Sequence, residues 1–550
     1  MNSFILAKQN LSLRDFSRII LIVIIAIIPH LYKFTFSSEE LFSGFIPDDA
    51  GYYFKTAINI YNGLGSTFDG INITNGYHPL WMLFCTGAAF FSSKPATHLY
   101  WVLFINLIIV VLLNIQLIRM YIETLGLYFI ALLLWLINWS YYGSITVLSG
   151  LETGIYLLSL LFTIDWMIKL DIENKFQLFL MGILLALTFL ARTEAVLFLP
   201  IFGGYFWARI SCGDTFLQRI KTTIPALTIV GIPFIALTIP YLLWNYQLMG
   251  HFQQISGLTK DLWAEKQSIW GITAVLYYLK MFISPIAFQP IFALAGSYTS
   301  YGLINSLPVL LFLFGGYLFL RQKGQLYRVK SLLILLLYAL TIAVYYFLSY
   351  GRLTRYWHLS VIFISIQIMF VFGLQAIFQK LSFKYKPSFI LLLVIIGGIY
   401  FFQIPYFRYK FAHDYNYHFI APVYYQKEIT EWINTNLPPD AVVGVWNAGY
   451  VGYFAERRIV NLDGLINGRE LFEYVRDGRG IEQYILDNRI EYISDYFFGV
   501  PYPLQWPVLG PRLELLYSVG PRKITRNGQQ TYVDWLIWKI NYEGIDTINQ

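Results

Sequence analysis

The chain has 550 residues, of which 57% are hydrophobic and 13% are charged, and its mean hydropathy is +0.55. This composition excludes a soluble globular domain and indicates a polytopic membrane protein. The formal net charge of +7 comes from Lys and Arg in a few short loops. No basic stripe lies outside these loops, so the sequence gives no indication of nucleic-acid binding.

The first predicted element is an apolar run over residues 19–32, which follows Lys8, Arg14 and Arg18. Because Lys and Arg concentrate in cytoplasmic segments, this run is expected to begin in the cytoplasm and cross outward. No small-residue cleavage site follows it, so we interpret it as a retained membrane anchor rather than a signal peptide.

Further apolar runs predict an α-helical polytopic bundle of about eleven transmembrane helices, with the basic loops on the inside. The second and third spans are predicted at about residues 100–118 and 127–142, the eighth ends at the basic loop over residues 321–330, and the eleventh covers about residues 389–405. The run at residues 80–92 would reach only about 20 Å, less than the roughly 30 Å of hydrocarbon, and is interpreted as a juxtamembrane helix. Thirteen spans result if this run and part of residues 271–294 both cross. Residues 35–98 and 250–301 are predicted to form two long outer loops.

The composition changes near residue 408, where charge, Pro and Gly rise and no run is long enough to span a membrane. Helix and strand patterns alternate in this segment, which is typical of a small α/β domain. An odd number of spans places the segment outside. We therefore predict a transmembrane module over residues 1–407 and an extracytoplasmic α/β domain over residues 408–550.

Two adjacent carboxylates, Asp48 and Asp49, follow the first span and precede a predicted amphipathic helix over residues 50–61. The predicted topology puts them at the outer membrane face. Ionised groups near hydrocarbon are costly unless they are solvated, paired or functional. A helix N-cap explains one of the two acids but not both. The leading interpretation is therefore a catalytic role for at least one of them.

Other notable polar residues stand at the outward ends of predicted spans. They are Glu152 in LSGLETG, Arg192 and Glu194 in LARTEA, and Arg352, Arg355, Tyr356 and His358 in GRLTRYWHL. Each has a structural alternative, namely a helix-dipole interaction, a local ion pair or contact with lipid headgroups. Together they combine acids that can deprotonate a nucleophile with arginines that can bind phosphate. This combination suits transfer of a group from a phosphate-activated lipid.

The layout resembles the GT-C fold of glycosyltransferases that use polyprenyl-phosphate sugars. The resemblance is strongest in PDDAGYYFKTAINIYNG, FDGINITNGYHPLWMLF, LSGLETG and LARTEA, and GRLTRYWHL is similar to an Arg-Tyr element in a late outer loop of these enzymes. It looks most like the bacterial branch related to protein mannosyltransferases and lipid A aminoarabinose transferases. No WWDYG-type motif is found in the tail, which argues against the oligosaccharyltransferase branch.

The resemblance implies an inverting transfer at the outer face of the cell membrane. The donor would be a polyprenyl-phosphate-linked sugar, and the acceptor an envelope glycan, lipid or protein. Asp48 or Asp49 would act as the general base or orient the acceptor hydroxyl. Arg355 would bind the donor phosphate, and Arg352 and Arg192 are the further candidates for this role.

The resemblance does not assign a single role to three further residues. Glu152 matches an acid of the second outer loop of the family. This acid helps to bind a metal in some members and not in others. Whether Asp49 and Glu152 hold a divalent cation (Mg or Mn) is therefore left open by the resemblance. His78 in NGYHPLW could contact phosphate or acceptor, although a lone His beside Pro is more often structural. Asp463 in NLDG is interpreted as a turn residue.

Two other function classes fit a polytopic chain. A transporter or flippase of lipid-linked sugars would place ionisable residues or broken helices near the bilayer midplane, often in repeated halves. In this sequence the notable charges lie at span ends, and no repeat is found. A non-catalytic surface scaffold gives no reason for the clustered acids and arginines. The sequence therefore favours an enzyme.

Overall fold

A computed structural model describes residues 13–139, 148–210, 215–266, 275, 330–351, 354–380, 421–498, 501–526 and 529–544. Several features that the sequence predicts lie outside these ranges. They are Arg352, the predicted span over residues 389–405, the predicted span that precedes residue 321, the apolar segment 271–294 apart from residue 275, and the predicted boundary at residue 408. Contacts divide the chain into two units. The first comprises Met1–Thr35, Ile105–Pro240 and Gln267–Gln403, and the second comprises Phe36–Phe104, Tyr241–Lys266 and Ile404–Gln550.

Helices dominate the described residues, as the composition predicts. The α-helices are α1 Leu13–Lys33, α2 Ser38–Gly44, α3 Asp49–Tyr61, α4 Pro79–Ala89, α5 Pro95–Trp139, α6 Thr153–Lys169, α7 Lys175–Ala191, α8 Leu199–Arg209, α9 Phe216–Met249, α10 Ile255–Lys266, α11 Lys330–Tyr350, α12 Ser360–Lys380, α13 Ala421–Asn436, α14 Gly449–Phe454, α15 Arg469–Arg476 and α16 Gly480–Asp487. The strands are β1 Val442–Val445, β2 Arg458–Asn461, β3 Tyr492–Phe498, β4 Leu513–Arg526 and β5 Gln529–Ile540.

Five helical segments among the described residues are long and apolar enough to cross a membrane. They are Asp15–Lys33, Pro95–Trp139, Phe216–Met249, Lys330–Tyr350 and Trp357–Gln379. The prediction of a polytopic helical membrane protein is thus confirmed, and the exact number of spans stays a prediction.

Helix α5 covers two of the predicted spans. As one straight rod, its 45 residues would be about 67 Å long, more than twice the hydrocarbon thickness. Gly126 interrupts it with a φ of +72°, a left-handed conformation that glycine adopts without steric cost. The break falls between the predicted second and third spans, which explains why the sequence separates them.

Polar contacts join helices within the first unit. The hydroxyls of Thr163 on α6 and Thr188 on α7 lie 2.8 Å apart, and those of Tyr156 on α6 and Tyr338 on α11 lie 2.7 Å apart. A side chain on Gly182 of α7 would overlap the backbone of α9. Small residues and interhelical hydrogen bonds are typical of helix association in lipid, where burial of apolar surface gives little net gain.

The second unit contains a five-stranded sheet in the order β2-β1-β3-β5-β4. Strand β1 pairs in parallel with β2 and β3, while β5 pairs antiparallel with β3 and β4. The alternating helices and strands predicted for the C-terminal segment are confirmed through β3. The long β4–β5 hairpin was not predicted. Because β1, β2 and β3 are parallel, the loops that follow β1 and β2 meet at one edge of the sheet, and these loops carry the polar residues described next.

Candidate functional site

Asp48 binds the beginning of a C-terminal helix. It immediately precedes α3, but its side chain makes no capping hydrogen bond to that helix. The N–H of Gly449 instead donates to Oδ2 of Asp48 at 2.9 Å, and the N–H of Tyr450 donates to Oδ1 at 2.8 Å. The side-chain amide of Gln426 also donates to Oδ1, at 2.9 Å. Since an acid at a helix N-terminus satisfies unpaired N–H groups and complements the helix dipole, Asp48 acts as the cap of α14, which lies 401 residues away in sequence.

Two glycines allow α3 and α14 to approach this closely. A Cβ atom added to Gly51 would overlap the carbonyl oxygen of Gly449, and a Cβ added to Gly449 would overlap the carbonyl oxygen of Asp48. Backbone atoms cannot move aside as the end of a flexible side chain can. The two helix starts are therefore packed backbone against backbone, and this contact fixes the position of Asp48 and of its half-buried neighbour Asp49.

A third acid, Asp463, lies two residues after the end of β2 and contacts α3. The N–H of Leu465 donates to its Oδ1 at 2.7 Å, which forms the turn predicted at NLDG. The hydroxyl of Tyr52, three residues after Asp49 on α3, donates to its Oδ2 at 2.7 Å. Ligands of open α/β sheets bind outside the carboxyl ends of the parallel strands. The sheet therefore brings Asp463 to an edge that is suited to binding.

Four carboxylates, here called the acid group, influence one another electrostatically: Asp48, Asp49, Asp463 and Asp495. Burial raises the pKa of Asp48 to about 6, and the charge of Asp49 adds to this rise. Burial raises the pKa of Asp463 to about 7, again with a contribution from Asp49. Burial also raises the pKa of Asp495, which accepts hydrogen bonds from Asn447, to about 7. Carboxylates that titrate near pH 7 are suited to proton transfer at neutral pH.

His78 lies in the same unit and is part of a polar network around α4. The side-chain amide of Gln254 donates to its Nδ1 at 3.1 Å and also contacts the hydroxyl of Tyr241 at 2.7 Å. The backbone N–H of His78 donates to the hydroxyl of Tyr53 on α3 at 3.1 Å. These contacts connect residues 241–266 to the helix that begins with the first-loop acids. The predicted contact of His78 with phosphate or acceptor stays a prediction.

Arg192 is the centre of a buried cluster in the first unit. Its Nε donates to Glu194 at 2.6 Å, and its Nη1 lies 3.2 Å from Glu152. Nη1 also donates to the carbonyl of Trp357 at 3.0 Å, and Nη2 donates to the hydroxyl of Tyr346 at 3.1 Å. Every guanidinium nitrogen therefore has a protein partner, and one positive charge faces two carboxylates. This arrangement is suited to holding three chain segments together.

Arg355 lies in the first unit at the start of the segment that reaches Arg192, and its side chain is exposed. Its backbone N–H donates to Nδ1 of His358 at 3.0 Å. The ring of His358 stacks on that of Tyr346, with the centroids 5.0 Å apart and the planes 12° apart. Contacts with the Arg192 cluster thus order the backbone around Arg355, while its guanidinium remains accessible to a ligand.

The described residues do not assemble the divalent-cation site that the sequence left open. Among them, no group of three or more His, Cys, Asp and Glu side chains is placed to hold a metal ion. Both oxygens of Asp48 accept hydrogen bonds, and Glu152 forms an ion pair with Arg192. Because Glu152 is already paired with Arg192, the proposed reaction includes no step on a cation.

Sequence reasoning did not select Tyr52, Gln426 or Asp495. A signal exists for Tyr52, because it lies one helical turn after Asp49 and therefore on the same face of α3. Gln426 contacts Asp48 across 378 residues of sequence, and Asp495 interacts with Asp48 only electrostatically. No local pattern marks them.

Known proteins show similarity to this chain at the level of one family model and of several solved structures. A family model described as a domain of unknown function (DUF8728) matches residues 415–535. No curated protein sequence matches the chain. Among solved structures, ArnT from Cupriavidus metallidurans in the apo state is similar with a TM-score of 0.53 and 10% identity, covering 95% of this chain and 98% of that one. The same protein bound to undecaprenyl phosphate gives a TM-score of 0.53 and 10% identity, with 94% and 98% covered.

The archaeal oligosaccharyltransferase AglB from Archaeoglobus fulgidus, in complex with an inhibitory peptide and a dolichol-phosphate, is also similar. Its TM-score is 0.51 at 14% identity, covering 88% of this chain and 69% of that one. At such identities the likeness shows the fold alone. The predicted GT-C fold is therefore confirmed: the chain is a multi-pass membrane protein with this fold and a small C-terminal sheet domain.

Proposed function

We propose that this protein is an integral membrane glycosyltransferase, which moves a sugar from a polyprenyl-phosphate carrier to an acceptor hydroxyl at the outer face of the cell membrane. The observation that carries the proposal is the acid group, which joins two first-loop carboxylates to the binding edge of a sheet in a chain with the GT-C fold. The complexes of ArnT with undecaprenyl phosphate and of AglB with dolichol-phosphate support a polyprenyl-phosphate donor. The acceptor is an envelope glycan, lipid or protein.

Asp49 is assigned as the general base, and Asp48 as the residue that positions it. The carboxylate of Asp48 accepts three hydrogen bonds, two of them from the backbone at the start of α14, so its assigned role is to hold that helix beside α3. Its half-buried neighbour Asp49 takes the proton of the acceptor hydroxyl. The hydroxyl oxygen attacks the anomeric carbon, and the bond from that carbon to the phosphate oxygen breaks. Attack from the face opposite the leaving phosphate inverts the anomeric configuration.

Arg355 is assigned to the phosphate of the donor. Negative charge grows on the leaving phosphate as the glycosidic bond breaks, and a guanidinium stabilises this charge with two parallel hydrogen bonds. Arg192 acts as a positioning residue in this scheme, because it binds the carbonyl of Trp357, two residues from Arg355. Its role as a direct phosphate ligand stays a prediction, as does that of Arg352.

The test is a transfer assay with purified full-length protein, radiolabelled polyprenyl-phosphate sugars and crude envelope acceptors. We expect Asp49→Asn to lower turnover by about 100- to 10,000-fold, because the amide keeps the shape of the side chain but cannot accept the proton. Binding of undecaprenyl phosphate should be unchanged. Near-full turnover in Asp49→Asn would remove this residue from the reaction. Movement of labelled donor across vesicles without transfer would indicate a flippase instead.

A further inference from the structure

A cavity of about 250 Å³ lies in the second unit, beside the carboxyl ends of two parallel strands. Trp446, which follows β1, and Asp463, which follows β2, both line it. Trp263 on α10 and Val475 on α15 also line it. The cavity thus occupies the place where open α/β sheets bind their ligands, and it contains one member of the acid group.

The lining of the cavity is mostly apolar. Besides the two tryptophans it includes Leu262, Leu462, Leu471, Phe472, Val475 and Ile481. The hydroxyl of Thr259, which also lines the cavity, donates to the carbonyl of Gly464 at 3.0 Å and so is already satisfied. Asp463 is the charged residue in this lining. A ligand would meet a hydrophobic chamber with a single strong hydrogen-bond acceptor.

That acceptor is held rigidly. Gly464 adopts a φ of +84°, and its N–H donates to Oδ1 of Asn461 at 3.0 Å. Tyr52 and the N–H of Leu465 each donate to one oxygen of Asp463. A carboxylate oxygen has more than one lone pair, so both oxygens can accept a further hydrogen bond. A carboxylate fixed by its neighbours loses little entropy when it binds a ligand.

The volume of the cavity and the polarity of its lining limit which ligands can bind. An engineered apolar cavity of about 150 Å³ binds benzene, so this larger cavity accommodates one substituted aromatic ring. A cavity of this volume accommodates only part of the extended acyl chain of a membrane lipid. A monosaccharide would place several hydroxyls against aliphatic side chains, and each unpaired hydroxyl is costly. A phenol meets both requirements, because its ring is apolar and its hydroxyl can donate to Asp463.

We infer that this cavity binds an aromatic side chain of a polypeptide acceptor, with tyrosine as the preferred residue and Asp463 as its hydrogen-bond acceptor. The inference rests on the proposed glycosyltransferase function and names the acceptor class for it. The anchor residue would hold the polypeptide beside α3, the helix that begins with Asp49.

The test measures binding of two probes, N-acetyl-tyrosinamide and N-acetyl-phenylalaninamide, to the full-length protein in lipid nanodiscs by saturation-transfer NMR. We expect the tyrosine probe to bind about three- to tenfold more tightly than the phenylalanine probe. Asp463→Asn should abolish this preference. Val475→Trp, which fills the cavity, should weaken both probes at least tenfold. Leu515→Trp, the same type of change at an exposed position on β4, should leave both affinities unchanged.

Three outcomes would overturn the inference. They are equal affinity of the two probes for the wild-type protein, full binding to Val475→Trp, and tighter binding of methyl glucoside or dodecanol that Val475→Trp blocks. Binding of undecaprenyl phosphate is measured on the same samples. If the tyrosine probe binds but undecaprenyl phosphate does not, the proposed function fails and the cavity assignment stands. If undecaprenyl phosphate binds and no probe depends on Val475, the cavity assignment alone fails.

Discussion

Replacing Asp48 by Ala removes the cap of α14 without touching the residue assigned as base. The substitution leaves the N–H groups of Gly449 and Tyr450 without the carboxylate that they now contact at 2.9 and 2.8 Å. Both residues are buried. An unsatisfied buried donor costs about 1–3 kcal/mol, so the two together should destabilise α14 locally by about 2–4 kcal/mol once partial relief of repulsion from Asp49 is allowed for.

Hydrogen exchange followed by mass spectrometry measures this effect directly. A local loss of about 2–4 kcal/mol corresponds to roughly 30- to 1,000-fold faster exchange in a peptide that covers α14. Asp48→Asn should fall between the wild type and Asp48→Ala, because the amide retains one oxygen acceptor but turns an NH₂ group toward the helix. Asp440→Ala, which removes an exposed acid from the same unit, is the matched control and should leave exchange in α14 unchanged.

Unchanged exchange of α14 in Asp48→Ala would show that the carboxylate is not its cap. The distinction between the two first-loop acids would then have no physical basis. Transfer assays on the same protein separate the roles further. Asp48→Ala should lose activity in parallel with its loss of protection, whereas Asp49→Asn should lose activity with α14 fully protected.

The remaining predictions concern pH and the donor phosphate. Asp48 (pKa about 6) and Asp463 and Asp495 (pKa about 7) titrate above the usual Asp value, so the folded state favours their protonated forms. Their stabilising contribution is therefore complete below about pH 4 and is lost as the pH rises through 6 and 7. The thermal midpoint of the protein should fall between about pH 5 and pH 8, and Asp463→Asn should make this slope shallower; a midpoint that rises over this range would contradict the sign. Arg355→Ala should weaken binding of undecaprenyl phosphate about tenfold or more, and Arg355→Lys should restore only part of it because the planar fork is lost. Wild-type donor affinity in Arg355→Ala would remove this residue from the phosphate site.

The fold was predictable because hydrophobic runs and basic loops are local signals. A helix that must satisfy all of its backbone groups in lipid leaves a continuous apolar pattern in the sequence, and the break at Gly126 leaves a gap in it. The parallel strands of the C-terminal domain were also visible as short apolar runs between helices. The β4–β5 hairpin was missed because its sequence carries several charged and polar residues in place of a simple alternation.

The candidate site was only partly predictable for the opposite reason. The doublet of Asp48 and Asp49 stands out by its position, but the sequence gives no basis for assigning different roles to the two acids. Their difference comes from the backbone of α14, which is far away in the chain. Asp463 fits a turn motif, and the turn is present; its second contact, with Tyr52, depends on tertiary packing. Local patterns reveal which residue types are available, whereas the proposed division of these acids into a base, a cap and a ligand-binding acid rests on long-range contacts.

The long separation between Asp48 and its cap partner has a consequence during synthesis. At about 5–20 residues per second, the 401 residues that separate Asp48 from Gly449 take roughly 20 to 80 s to translate. Throughout this interval Asp48 lacks the helix whose N–H groups it binds in the complete protein. A nascent chain that stops before residue 449 therefore carries the proposed base but no assembled centre. Asp48 therefore gains its final hydrogen-bond partners only after most of the chain has been translated.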